Sequence, residues 1–176
     1  HTAGVLTAVF SPSSQQILTT SDDRSARLWD SHTGAEIRIF LHDNWVSSAN
    51  FSPDGARIAT ASGDNTARIF DTQTGQLILK LRGHTGGVRD VSFSPDGERL
   101  VTASEDSSAR IFNSRSGAVD KVLSGHTDRV RSATFSPDGK RVLTASDDHT
   151  ARLWDAQTGT ALQTLRGHTD RVRSAT

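Results

Sequence analysis

A histidine, a serine and an aspartate return four times along this 176-residue chain, each set followed by an aromatic residue at the same distance. The sets are His1, Ser21, Asp23 and Trp29; His42, Ser62, Asp64 and Phe70; His84, Ser104, Asp106 and Phe112; and His126, Ser146, Asp148 and Trp154. These are the residue types of an acyl-transfer triad, in which the carboxylate orients the imidazole and the imidazole takes the hydroxyl proton. A hydrolase needs one such centre. Four evenly spaced copies have no catalytic rationale, so no catalytic residue is assigned and the sets read as structural. Histidine also ligates metals, but no pair of histidines here has zinc-ligand spacing and cysteine is absent, so neither a metal nor a cofactor is expected.

The elements that position these side chains must repeat with them. The anchors His1, His42, His84, His126 and His168 are separated by 41, 42, 42 and 42 residues. Phe-Ser-Pro recurs at 10–12, 51–53, 93–95 and 135–137, and the closing pair reads Trp29-Asp30, Phe70-Asp71, Phe112-Asn113 and Trp154-Asp155. Segments 51–71 and 135–155 are identical at 14 of 21 positions, which chance does not produce. A period in the low forties, opened by Gly-His and closed by Trp-Asp, marks a four-stranded propeller blade. On these motifs the chain resembles the WD40 repeat family over its whole length, with near-identical repeats like those of bacterial WD40 arrays. The fold class implied is an all-β propeller of four complete blades, near residues 3–40, 45–81, 88–123 and 129–165. The inner strand of a fifth follows at 169–176, because 166–176 matches 124–134 at 10 of 11 positions.

Within blade one, short runs of β-formers bounded by turn residues place strands at Val5–Phe10, Gln16–Thr20, Ala26–Trp29 and Glu36–Phe40. Three first turns read Ser-Pro-Asp-Gly. Blade one has Ser11-Pro12-Ser13-Ser14 instead and lacks the glycine, so its turn is expected to be longer or less regular. The apolar spacing of Val130, Ala133 and Phe135 breaks strict alternation, which a β-bulge near Arg131 would restore.

Lys+Arg and Asp+Glu both number 20, so no global field favours nucleic acid or an acidic membrane. No run approaches the roughly 18 apolar residues of a membrane helix, and no signal peptide is visible, so a cytoplasmic protein is expected. The first residue is His rather than Met, which suggests an excerpt of a longer chain.

The resemblance implies a role for the repeated sets: the Trp indole donates to Ser, Ser bonds His, and His bonds Asp, forming a buried clasp within each blade. Phe70 and Phe112 lack the indole donor, so blades two and three should be softer. The resemblance also implies a partner surface on the top face, at positions three and five residues after each anchor and just before the clasp Asp. These positions supply Leu6, Trp45, Ser47, Arg89, Arg129 and Arg131, fringed by Asp22, Glu105 and Asp147. Trp45 could instead pack on a neighbouring blade, and Arg129 and Arg131 could pair with nearby acids. The expected function is a non-catalytic scaffold or sensor that binds a protein or peptide. The alternatives are the regulatory repeat region of a larger signalling enzyme and, less favoured, a nucleic-acid binder using an arginine rim. Self-association of two chains could complete a ring.

Overall fold

The computed structural model describes residues 1–176 and contains sixteen strands and no helix. Blade one consists of β1 (Val5–Phe10), β2 (Gln16–Ser21), β3 (Ser25–Asp30) and β4 (Glu36–Leu41). Blade two has β5 (Val46–Phe51), β6 (Arg57–Ser62), β7 (Ala67–Asp71) and β8 (Leu77–Leu81). Blade three has β9 (Val88–Phe93), β10 (Arg99–Ser104), β11 (Ser108–Asn113) and β12 (Val119–Ser124). Blade four has β13 (Val130–Phe135), β14 (Arg141–Ser146), β15 (Ala151–Asp155) and β16 (Ala161–Leu165). Each blade is an antiparallel meander in chain order. The inner strands β1, β5, β9 and β13 pack in succession, so the sheets form an open arc. A partial fifth strand runs along blade four, where Val172 N–H donates to Ser146 O at 3.0 Å and Ala175 N–H to Ser132 Oγ at 3.2 Å.

The core lies between blades rather than inside any one. Val101, Ile111 and Leu123 of blade three close on Val130, Val142 and Trp154 of blade four, and equivalent clusters join blades one to two and two to three. Short strands with small apolar residues suffice because both faces of each inner sheet are covered. Blade one shows the contrast: Val5 is 56% exposed, whereas its counterparts Val46, Val88 and Val130 are wholly buried.

The first turn of blade one differs from expectation. Ser14 takes the left-handed conformation, φ 59°, that Gly55 occupies at 71°, and Ser14 N–H bonds Ser11 O at 2.8 Å as Gly55 N–H bonds Ser52 O. The turn therefore has the same length and register as the others. The pairing of the flanking strands imposes it, at a cost of about 1 kcal/mol for a residue with a Cβ.

Every inner strand carries a bulge. Register shifts fall between Val5 and Thr7 and between Val46 and Ser48, at Val88 opposite Ser104, and between Val130 and Ser132. The skipped residues are Leu6, Ser47, Arg89 and Arg131. A bulge re-aims a side chain, and here all four turn toward one end of the arc.

Candidate functional site

The clasp is built around a threonine. Trp154 Nε1 donates to Thr144 Oγ1 at 2.8 Å, Thr144 Oγ1 lies 2.7 Å from His126 Nε2, and His126 Nδ1 lies 2.7 Å from Asp148 Oδ2. The ionised Asp148 can only accept, so Nδ1 carries the proton, and a neutral imidazole then presents Nε2 as an acceptor for the Thr144 hydroxyl, which itself accepts from the indole. The chain of donors thus selects one neutral tautomer. Blade one repeats the pattern through Trp29, Thr19, His1 and Asp23, and blade three through Thr102, His84 and Asp106 without an indole.

Ser21, Ser62, Ser104 and Ser146, placed in the clasp on sequence grounds, are not in it. Ser146 Oγ donates to Asp128 O at 3.0 Å and accepts from Asp148 N–H, while Ser21, Ser62 and Ser104 likewise bond backbone carbonyls. The reason is strand geometry. Trp154 stands opposite Val142, so Thr144, two residues on, is its diagonal neighbour on the same face. Ser146 is four residues along, about 13 Å at strand rise. None of these four serine hydroxyls is bonded to a clasp imidazole; the serine that does reach one, Ser25, lies 3.3 Å from His1 Nδ1 and donates to Asp23 Oδ1 at 2.6 Å, so the predicted Ser-His-Asp sets are not assembled.

The clasp aspartates also hold the tight turn between the second and third strands. Asp148 Oδ1 accepts from Thr150 N–H and Thr150 Oγ1, and the residue between, His149, has φ 65°. Although burial opposes it, the Asp148 carboxyl is held well below its usual range by hydrogen bonds from Thr150, His126 and the Thr127 amide. Asp106 is held low in the same way, against burial, by His84, Ser108 and the Thr85 amide.

Blade two departs from this. His42 Nδ1 is 4.0 Å from Asp64 Oδ2 and has no hydrogen-bond partner, although Thr60 Oγ1 still meets Nε2 at 3.0 Å. Arg68 takes the carboxylate instead, with Nη2 also 3.0 Å from Asp43 and Nη1 donating to Leu41 O. The connection explains the difference. Phe40, Leu81 and Leu123 hold equivalent pairings with Ala26, Ala67 and Ala109, but one residue separates Phe40 from its histidine where two separate the others. The missing residue costs blade two the glycine that elsewhere makes room for the strand-three arginine: a Cβ on Gly125 would lie 2.6 Å from Arg152 Nη1.

The four bulged residues open a different site. Leu6, Ser47, Arg89 and Arg131, with Arg171 and Arg173, line a mouth of about 430 Å³ at the clasp end of the inner strands. Arg131 is bonded through Nε and Nη2 to Asp147, and Arg89 through the same two atoms to Glu105. The Asp147 hydrogen bonds raise the Arg131 pKa, and Arg131 in turn holds Asp147 low. Arg129 approaches Glu105 at 3.6 Å rather than the acids of its own blade. Ser47 Oγ donates to Val88 O of the next blade. Asp22 is exposed and forms no ion pair. Trp45 does not line the mouth: it lies half-buried with Arg89 stacked on it at 4.3 Å, and a Cβ on Gly63 would overlap its indole.

Three sets of contacts escaped sequence reasoning. Asp90 ties three inner strands, accepting from Ser48 Oγ at 2.8 Å, its neighbour Val91 N–H, and Ala133 N–H at 3.1 Å; burial raises its pKa. Arg57 and Arg99 reach across to Gly97 O and Gly139 O and stack on Phe93 and Phe135. The arginine two residues after each turn glycine, at 57, 99 and 141, was the available signal for these straps. The clasp threonines at 19, 60, 102 and 144 were equally periodic. No group of His, Cys, Asp and Glu side chains is arranged to hold a metal ion.

The WD domain, G-beta repeat family model (WD40) matches residues 1–30, 34–71, 75–113 and 117–155. From the second match on, each contains the outer strand of one blade and three strands of the next, so the sequence unit is staggered against the sheets and stitches neighbouring blades. No curated protein matches the chain.

Proposed function

The chain belongs to the WD40 repeat family, and from that premise we propose that it is a non-catalytic interaction module presenting the mouth at the clasp end to a protein or peptide. WD40 repeats generally mediate protein–protein interaction and are typically non-catalytic. The observation that carries the reading is the set of bulges. The inner strands are bulged at the same place in every blade, whereas the bulged residues themselves are Leu6, Ser47, Arg89 and Arg131 and converge on one opening. Side chains that differ in kind at a structurally identical place suit recognition of an asymmetric ligand. Arginine and exposed apolar contacts are types that contribute strongly at interfaces.

Peptide display against the whole chain tests the reading. Selected peptides should bind a Leu6→Asp, Arg171→Ala variant at least tenfold more weakly than the wild type, with thermal unfolding unchanged, since both side chains are exposed. Equal affinity for the two proteins would remove the mouth as the site.

A further inference from the structure

Blade two holds its clasp groups open, and blades three and four hold the same groups closed. His84 and His126 reach Asp106 and Asp148 through Nδ1 at 2.8 and 2.7 Å. His42 Nδ1 stops 4.0 Å short of Asp64 Oδ2, although its side chain is wholly buried. The charged groups around this imidazole are Asp64 from the turn after β6, Arg68 from β7, Lys80 from β8 and Asp43 from the connection that leads to β5. Blade one contributes Arg24 O, which accepts from His42 N–H at 2.9 Å. A proton on Nδ1 would have no acceptor, so the neutral ring carries it at Nε2 and donates to Thr60 Oγ1 at 3.0 Å. Thr60 then gives its own proton to Arg68 O at 3.4 Å. Phe70 permits this, because no indole competes for the threonine oxygen. His126, which donates from Nδ1, is the opposite tautomer.

Arg68 has somewhere else to go. Its Nη2 sits between two carboxylates, 2.5 Å from Asp64 and 3.0 Å from Asp43, and Asp43 is largely exposed. Neutral His42 cannot contest Asp64, because its Nδ1 presents a lone pair to a carboxylate. A proton added at Nδ1 turns that atom into a charged donor facing Asp64 and sets a second cation against Arg68. Asp64 is ionised to receive it: burial opposes this, but the Thr66 hydrogen bond and the Arg68 charge hold its carboxyl below the usual range. We propose that blade two is a proton-operated latch: with His42 protonated the clasp closes on Asp64 as in blade four, and Arg68 turns out to Asp43, releasing Leu41 O and with it the connection between β4 and β5. The closed arrangement binds the extra proton more tightly than the open one, so acid populates it. Burial, and then Arg68, hold the His42 pKa down to about 4, which keeps the latch open at neutral pH.

Nitrogen NMR of the whole chain, followed from neutral pH down through the His42 titration, tests the latch. At neutral pH His42 should be protonated at Nε2 and His126 at Nδ1. On acidification His42 should gain its Nδ1 proton while the Arg68 side-chain signals and the Asp43 amide move with the same midpoint. Arg152 should stay unmoved through that step. An Arg68→Met variant should adopt the Nδ1 tautomer at neutral pH, with its His42 midpoint raised by about one pH unit or more. Loss of the Arg68 charge alone would raise the midpoint without moving the neutral proton, so the tautomer separates a latch from a simple field effect. Restoring a glycine between Leu41 and His42 should close the clasp at neutral pH with Arg68 still present. A wild-type His42 protonated at Nδ1 at neutral pH, or Arg68 and Asp43 signals that stay fixed while His42 titrates, would overturn the latch whatever the variants do. Unfolding of the whole chain in the same step, read from tryptophan fluorescence, would overturn it too. So would a folded Arg68→Met protein that keeps the Nε2 tautomer.

Discussion

Blades two and four carry the same anchor histidine, clasp aspartate and strand arginine, yet one closes its clasp and the other does not. In blade four His126 holds Asp148 at 2.7 Å and Arg152 lies over Trp154, whereas in blade two Arg68 has moved onto Asp64 and left His42 Nδ1 without a partner. Both blades pack equally well, with Val46 and Val130 wholly buried. The difference is therefore not a loss of core burial. It shows that one residue of connection length decides whether an arginine braces the clasp from outside or replaces the histidine within it.

The largest expected effect comes from removing the shared hydroxyl in each blade. Thr144→Val strands both the Trp154 N–H and His126 Nε2 in a buried site and should cost about 3 kcal/mol, since each orphaned polar group costs about 1–3 kcal/mol. Thr60→Val strands His42 alone and should cost nearer 1 kcal/mol. Urea unfolding of the two variants measures the gap, and equal losses would mean that the indole adds nothing.

Acid should act through blade two. Burial first, and then the neighbouring Arg68, lower the His42 pKa to about 4 from 6.5, with Asp64 and Asp43 only partly opposing. Between those values the unfolded chain binds the proton and the folded one does not. Stability present above pH 6.5 is therefore lost as the pH falls toward 4, by an amount on the order of 3 kcal/mol if the unfolded imidazole is unperturbed. A His42→Gln variant should show a flatter stability profile across that window. The same slope in both proteins would place the loss elsewhere.

The smallest effect concerns blade three, whose clasp lacks only the indole. Phe112→Trp should supply the missing donor to Thr102 and raise stability by about 1 kcal/mol. It should slow amide exchange in β10 and β11 toward the rates of β14 and β15, while β6 and β7 remain the faster pair. A rise in exchange protection confined to blade two would contradict the placing of the missing bond at Thr102.

Much of this molecule is written in its periodicity. Phased Phe-Ser-Pro and Trp-Asp pairs mark four sheets, and the broken alternation at Val130, Ala133 and Phe135 points to the bulge that aims Arg131. The serine assignment failed because Thr144 and Ser146 share a face of one strand and the repeat spacing preserves both equally. Only the register that sets Val142 opposite Trp154 distinguishes them. Ser14 was misjudged for a related reason: local turn chemistry asks for glycine, but the two paired strands impose the turn.

What the sequence determined by itself was the repeating unit, the buried faces and the residue types available at each blade end, because these follow from side-chain alternation and turn chemistry over short distances. The tertiary structure decided which hydroxyl joins the clasp, that Arg68 displaces His42, and that arginines from successive blades meet Leu6 at one mouth. Those outcomes depend on distances across strands and between sheets, where a single residue of register or connection moves a polar atom by more than the length of a hydrogen bond.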